Sequence, residues 1–244
     1  MRLASMLRYG IWCGVLATAE GNRREYHMTT TWLPHLTTNT ISLLLPDIYR
    51  LVARAKPTPG QSGSIPSELR QVVDGTLTTM LCDNPAYVLY VAPLALGYML
   101  SSPWLNIYKG DLAKRRLAGF GLDALPHIIT AFALTALTVD TARVVGEQSS
   151  STAELADLGG LIDQYQTLIS AIVLATTTIV WELSEYRIYQ YELARRGSRE
   201  QINMQWSVSD TAYDCAANLI GWLLATGWRL ADQRWSDVEQ SRPG

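Results

Sequence analysis

Residues 208–226, VSDTAYDCAANLIGWLLAT, open with two aspartates four positions apart and run on into an apolar stretch close to the length a bilayer core requires. The pattern predicts a helix over Val208–Thr226 with Ser209 as its N-cap. Asp210 and Asp214 then share one face, because residues i and i+4 are neighbours on a helix surface. A carboxylate in hydrocarbon costs several kcal/mol or more, so it persists only where it pairs, neutralises, faces water or binds a cation. The same conjunction of acid and apolar run recurs twice. GFGLDALPH at 119–127 opens a second predicted helix, Leu122–Val139, with Pro126 in its first turn, and WELSE at 181–185 closes a third, Leu161–Leu183. Ala86–Ser102, nearly all apolar and interrupted by Pro93, is a fourth. The expected fold is all-α: a polytopic transmembrane helical bundle with at least four spans.

Composition agrees with that class. In 244 residues only 17% are charged, against roughly 25% in soluble domains. The mean hydropathy, +0.04, is what several apolar helices diluted by polar loops produce. A net charge of −2 supplies no basic stripe for phosphates, which argues against nucleic acid as a partner. Cys13, Cys82 and Cys215 have neither zinc-site nor disulfide spacing and read as small buried apolar residues.

Three regions are expected. Residues 1–66 form an amino-terminal amphipathic or interfacial region ending in the Pro/Gly/Ser linker Lys56–Pro66. Residues 67–228 form the transmembrane bundle, and 229–244 a polar carboxy-terminal tail. Within residues 1–19, Arg2, the apolar Tyr9–Leu16 and Ala17-Thr18-Ala19 fit a signal peptide loosely; an interfacial helix, a poorly packed tail and a full span are the alternatives. Ile41–Ala55 and Leu69–Cys82 read as short amphipathic helices, either further spans or interfacial.

Loop charge sets an orientation. Lys109, Lys114, Arg115 and Arg116 follow Ala86–Ser102, and Arg187, Arg195, Arg196 and Arg199 follow Leu161–Leu183. The loop between Val139 and Leu161 is instead acid-rich, with Glu147, Glu154 and Asp157. The positive-inside rule makes the two basic loops cytoplasmic. Asp123 with His127, Glu182 with Glu185, and Asp210 with Asp214 then fall at one membrane level, each pair on one helical face. Together with Asn218 they define a candidate polar pocket at the cytoplasmic face. No residue is assigned a catalytic role.

Carboxylates with one imidazole suit a divalent metal, and His127, Glu182 and Asp214 are the candidate ligands. Without a metal, no cofactor is expected. Each residue also has a plainer reading. Asp123 and Asp210 suit the positive end of a helix dipole, and Glu185 suits a salt bridge to Arg187, Arg195 or Arg196. His127 suits a hydrogen-bonded packing role, while Asn218 and Gly221 suit a helix–helix seam. Trp104, Trp181, Trp206, Trp222 and Trp228 lie near helix ends and read as interface anchors.

The order GF-x-LD-x-x-x-H, WE-x-x-E, SDT-x-x-D and N-x-x-G over residues 119–225 resembles the YjdF group of small bacterial integral membrane proteins and, more distantly, VanZ-like proteins. The resemblance marks Asp123, His127, Glu182, Glu185, Asp210, Asp214, Asn218 and Gly221 as shared positions. It implies an all-helical, multi-pass protein of the bacterial cytoplasmic (inner) membrane; VanZ-like members are linked to glycopeptide resistance and envelope behaviour. The amino-terminal third has no counterpart in that pattern, and a long acidic loop separates the second and third helices. Two functions remain open. One is a non-enzymatic binding or structural subunit of a membrane or envelope assembly, partnered by the bilayer and by another membrane protein or a second copy. The other is a metal-dependent membrane enzyme acting on a lipid-linked or envelope substrate. Walker, dinucleotide, nucleophile-elbow and HExxH motifs are absent from the sequence.

Overall fold

The structure, a computed structural model, describes residues 2–27, 32–55, 65–117, 119–152, 154–198, 202 and 206–240. It is all-helical apart from one two-residue hairpin: α1 Arg2–Glu25, α2 Leu33–Ala55, α3 Ile65–Leu77, a π-helical stretch Thr78–Asp83, α4 Tyr87–Met99, α5 Gly110–Ala113, β1 Arg116–Leu117, β2 Phe120–Gly121, α6 Ala124–Ser150, α7 Ala156–Gln164, α8 Gln166–Arg196 and α9 Val208–Gln240. Two of these, α6 and α8, are long and apolar enough to cross a membrane; α4 is apolar but shorter. Most of the linker, residues 56–64, lies outside the described residues.

Helix α6 is the axis of the bundle, touching α3, α4, α7, α8 and α9. Its seam with α9 is made of small residues. Ala131, Ala217, Gly221 and Ala225 are buried, and a Cβ built on Gly221 would stand 2.3 Å from the carbonyl oxygen of Ile128. Only glycine permits that approach, which is how helices pack where solvent supplies little drive for association. Gly221 thus belongs to a seam, as the sequence suggests, while Asn218 donates across to Thr178 Oγ1 of α8 at 3.1 Å.

The amino-terminal helices join the bundle through a second core. Val15, Leu43, Leu81, Tyr87, Val91 and Ala95 pack together between α1, α2, the π-helical stretch and α4. Arg8, buried in α1, reaches Asp47 of α2 at 2.8 Å and also the Leu43 carbonyl. Tyr87 donates to the Ser42 carbonyl (2.7 Å), and Asn22 donates to Ser101 Oγ (3.1 Å). Residues read as an interfacial region therefore wrap α4 directly.

Several boundaries differ from expectation. The helix expected over Leu161–Leu183 breaks at Tyr165, because α7 turns back beneath α6, where Gly159 meets Gly146 and Ser149 with no room for a side chain. The helix expected to end at Val139 continues to Ser150, and the one expected to end at Thr226 continues to Gln240. Residues 229–240 of what read as a polar tail form the last third of α9, whose Arg229 pairs with Asp140, and 241–244 lie outside the described residues. The α9 N-cap is Ser207 rather than Ser209, its Oγ accepting from the Asp210 N–H at 3.1 Å. Cys13 and Cys215 are exposed and Cys82 half-buried, so the expected burial fails for two of the three.

Several polar side chains are buried while one apolar helix face is exposed. Arg8, Asn22, Asn39, Thr135, Asp140, Ser170 and Glu182 are buried. Leu168, Ile172, Ile179, Val180 and Leu183 of α8 are each more than half exposed. Helix α8 has only 11% of its most apolar window buried, against 44% for α6.

Candidate functional site

A cavity of about 580 Å³ opens where the carboxy-terminal ends of α1 and α4 and the central turns of α8 meet the amino-terminal parts of α2, α6 and α9. Connectivity produces this grouping. The hairpin β1–β2 delivers the chain to Asp123, which caps α6 with its own carboxylate (Oδ1 to Ala124 N, 3.1 Å). From that cap the helix places His127 one turn in. Ser207 starts α9 on the same level, setting Asp210 and Asp214 on one face. The central turns of α8 bring Trp181, Glu185 and Tyr189 to the wall.

Asp214 is the centre of the arrangement. Its Oδ1 lies 3.4 Å from His127 Nε2, and single carboxylate oxygens of Asp214, Glu182 and Glu185 all lie within 4.8 Å of one another. Glu182 is buried, with Oε2 accepting from Thr211 Oγ1 at 2.6 Å, while Oε1 is buried with no hydrogen-bond partner. Asp123 and Asp210 line the same cavity. Among the described residues, no lysine or arginine forms an ion pair with Asp123, Glu182, Glu185, Asp210 or Asp214. The salt bridge expected for Glu185 is not made: Arg196 pairs instead with Glu192 at 2.6 Å, and Arg187 is exposed.

The sequence-derived residues Asp123, His127, Glu185, Asp210, Asp214 and Asn218 all line this cavity, and Glu182 stands beside it. Asp123 also fulfils its plainer, helix-capping reading. Trp181 and Trp206 line the cavity rather than lying at an outer interface, and Trp222 donates to Ser170 Oγ (3.1 Å). Trp104 and Trp228 are exposed.

Sequence reasoning missed the wall supplied by the amino-terminal helices. Asn22 of α1 and His35 and Asn39 of α2 line the cavity. His35 stacks on Tyr98, ring centroids 5.5 Å apart, and meets Trp181 edge-on at 5.2 Å. An asparagine embedded in the apolar LTTNTISLLL run was the available signal for Asn39. Tyr108 was missed too. It is 38% exposed in total, yet its hydroxyl donates to the Gly97 carbonyl at 3.1 Å. Desolvation pushes that phenol up from its ordinary range, and the charges of Glu185, Asp123 and Asp214 push the same way. Below the cavity, burial and then the Arg196 guanidinium hold the Lys109 ammonium under the ordinary lysine range; its Nζ donates to the Ile202 carbonyl at 2.6 Å.

Chemically, the cavity offers a dense set of hard oxygen acceptors, one imidazole, and aromatic walls. Such a set can hold a divalent cation, with His127 placed to exchange a proton at its edge. No protein-family model, curated protein or solved structure matches the chain.

Proposed function

We propose that the chain is a multi-pass protein of the bacterial cytoplasmic membrane whose cytoplasm-facing cavity binds a divalent cation. The membrane assignment is supported by the apolar exterior of α8 and by charge spacing. Residues 124–139 of α6, 166–181 of α8 and 215–228 of α9 carry no Asp, Glu, Lys or Arg. At 1.5 Å per residue these stretches run about 21–24 Å, most of a hydrocarbon core, with charged groups at both ends. Leaving the half-exposed α8 leucines and isoleucines in water would forfeit much of the ~1.5–3 kcal/mol that each gains when buried, a cost that lipid removes. On this reading α4, α6, α8 and α9 are the four expected spans, and the basic segments beside the cavity face the cytoplasm. Six of the eight positions marked by the resemblance to YjdF and VanZ-like proteins line the cavity; Glu182 stands beside it and Gly221 lies in the α6–α9 seam.

One observation carries the cation: three carboxylates converge within 4.8 Å with no lysine or arginine paired to them among the described residues, and one buried oxygen of Glu182 has no partner. Two unit charges at that spacing repel by about 3–4 kcal/mol at an effective dielectric of 20, which a bound cation reverses. Glu182, Glu185 and Asp214 are the proposed ligands, with His127 as neighbour. A purely structural subunit would instead neutralise its carboxylates with arginines, as this chain does at Asp140.

A metal-dependent enzyme is the second reading, favoured by cavity size: about 580 Å³ is far more than an ion occupies. A bound divalent ion would supply Lewis acidity toward a phosphate or carbonyl of a lipid-linked substrate, and His127 would hold or move the proton. The test of the binding function is metal analysis of purified protein after equilibration with Mn²⁺ and Mg²⁺, against Glu185→Gln and Asp214→Asn. Near one equivalent in wild type and at least a hundredfold weaker retention in both variants is expected. A folded wild type that holds no metal would return the chain to the structural-subunit reading.

A further inference from the structure

The cavity runs well past the carboxylates, and its wall changes character in steps. Trp181 precedes Glu185 by four residues on α8, so it lies one turn deeper on the same face. Its ring meets His35 of α2 edge-on, centroids 5.2 Å apart, and His35 stacks on Tyr98 of α4 at 5.5 Å. All three rings line the cavity and are half-buried. Burial holds the His35 imidazole down at about 4, which keeps that ring neutral at physiological pH. Leu94 lies one turn beyond Tyr98, Leu174 two turns beyond Trp181 and Leu134 two turns beyond His127; these leucines line the deepest part. From Glu185 to Leu174 the wall of α8 runs about 16 Å at 1.5 Å per residue. Arg116, Asp123, Glu185, Asp210 and Asp214 complete the Asp, Glu, Lys and Arg set of the wall, so the rings and the floor carry no formal charge.

Charge decides what the head of a ligand must be. Five carboxylates, with Glu182 beside the wall included, stand against one guanidinium, the exposed Arg116, which forms no ion pair with them among the described residues. Formally four negative charges are left over, and a divalent ion would still leave two. A phosphate or carboxylate head would gain Arg116 and oppose everything else, while a hydroxyl head would neutralise nothing. An ammonium brings both positive charge and N–H donors to oxygens that can only accept. Asp214 is the acceptor best placed for it: 7% exposed, lining the cavity, and accepting no hydrogen bond among the described residues, with His127 Nε2 3.4 Å away. Beyond it, aromatic faces attract a cation and cover its carbon body. A bare divalent ion leaves the rings and leucines with nothing to hold.

We propose that the cavity binds an amphipathic organic monocation, an arylalkyl ammonium, with its nitrogen at Asp214 and Glu185 and its carbon body between the His35, Tyr98 and Trp181 rings and the leucine floor. The proposal deepens the cation-binding reading above and rests on the same carboxylates, but it gives the uncharged part of the cavity an occupant.

The test uses the full chain in phosphatidylcholine nanodiscs, freed of metal by chelation, with empty nanodiscs subtracted for partitioning into lipid. Isothermal titration calorimetry compares 4-phenylbutylamine, 4-phenylbutanol and 4-phenylbutyrate, which share one body and differ in the charge of the head. The amine is expected to bind saturably and at least about tenfold more tightly than the alcohol, the butyrate not at all, and Mn²⁺ to compete with the amine. Glu185→Gln and Asp214→Asn are expected to bring the amine down to the level of the alcohol. His35→Leu and Tyr98→Leu, checked for folding by circular dichroism, are expected to weaken the amine about three- to tenfold through the body rather than the charge. An alcohol that binds as tightly as the amine, or a butyrate that binds once Mn²⁺ is loaded, would overturn the proposal by showing a neutral or metal-bridged head. Affinity unchanged in both His35→Leu and Tyr98→Leu would overturn it by removing the aromatic box. Mn²⁺ retention without amine binding overturns this proposal alone; amine binding without Mn²⁺ retention overturns the divalent-ion reading alone.

Discussion

Helices α6 and α9 carry acid at both ends of their shared seam, and the two ends solve the same electrostatic problem in different ways. At one end Asp140 of α6 accepts from Arg229 of α9 and from the Tyr90 hydroxyl of α4, so its charge is neutralised within the protein. At the other end Asp123, Asp210 and Asp214 face a cavity together with Glu185, with Glu182 beside it; Arg116 lines the same cavity, but no lysine or arginine forms an ion pair with these carboxylates among the described residues. The first arrangement is complete without a ligand. The second is left open. That difference separates a structural carboxylate from a functional one better than burial does, since Asp140 and Asp214 are both 7% exposed.

The comparison breaks most directly at its paired end. Asp140→Leu leaves Arg229 half-buried without its partner and is expected to cost about 3–5 kcal/mol. Replacing Arg229 by Leu as well should recover most of that loss. Thermal unfolding in detergent or nanodiscs checks both, and a single variant as stable as wild type would mean that the pair carries no structural weight.

The seam between the two ends gives the next largest effect. Gly221→Ala drives a Cβ against the Ile128 carbonyl and the Ala131 methyl and should cost about 1–3 kcal/mol as α6 and α9 separate. Gly227→Ala, on the same helix with open space around it, should gain up to about 1 kcal/mol through helix propensity. Equal responses at the two glycines would show that the seam is not closely packed.

Neutralisation at the open end should act with the opposite sign to Asp140→Leu. In cation-free protein, Glu185→Gln removes one member of a like-charged cluster and is expected to raise stability by about 1 kcal/mol, while abolishing the added stability that Mn²⁺ confers on wild type. Destabilisation in the absence of metal would instead reveal a structural partner for Glu185. Smallest of all, Glu147→Gln on the exposed Arg143–Glu147 pair of α6 should change stability by under about 0.5 kcal/mol and leave metal retention alone. It calibrates what an acid-to-amide change does away from both ends.

How much of this was legible beforehand differs by residue. The convergence of Asp123, His127, Glu185, Asp210 and Asp214 followed from i, i+3 and i, i+4 spacing combined with loop charge, because helix periodicity fixes faces and the direction in which successive helices run sets which ends meet. The Asp140–Arg229 pair was not visible. Asp140 looked like the end of an apolar run and Arg229 like the start of a tail, since a charge ends a hydropathy pattern whether or not a partner 89 residues away allows the helix to continue. The break at Tyr165 was equally hidden, because it depends on Gly159 finding Gly146 and Ser149 on another helix.

The sequence by itself determined that the chain is helical, which side chains share a helical face, and that acidic groups gather where apolar runs begin or end; these are local properties, set by a 3.6-residue repeat and by the cost of charge beside hydrocarbon. Only the tertiary structure decided which acids are answered by arginine and which face a cavity. It alone brought Asn22, His35 and Asn39 of the amino-terminal helices to that cavity's wall. Those outcomes depend on how each helix is rotated about its axis and how closely its neighbours approach, and close approach is set by small residues such as Gly221 meeting backbone that lies far away in the chain.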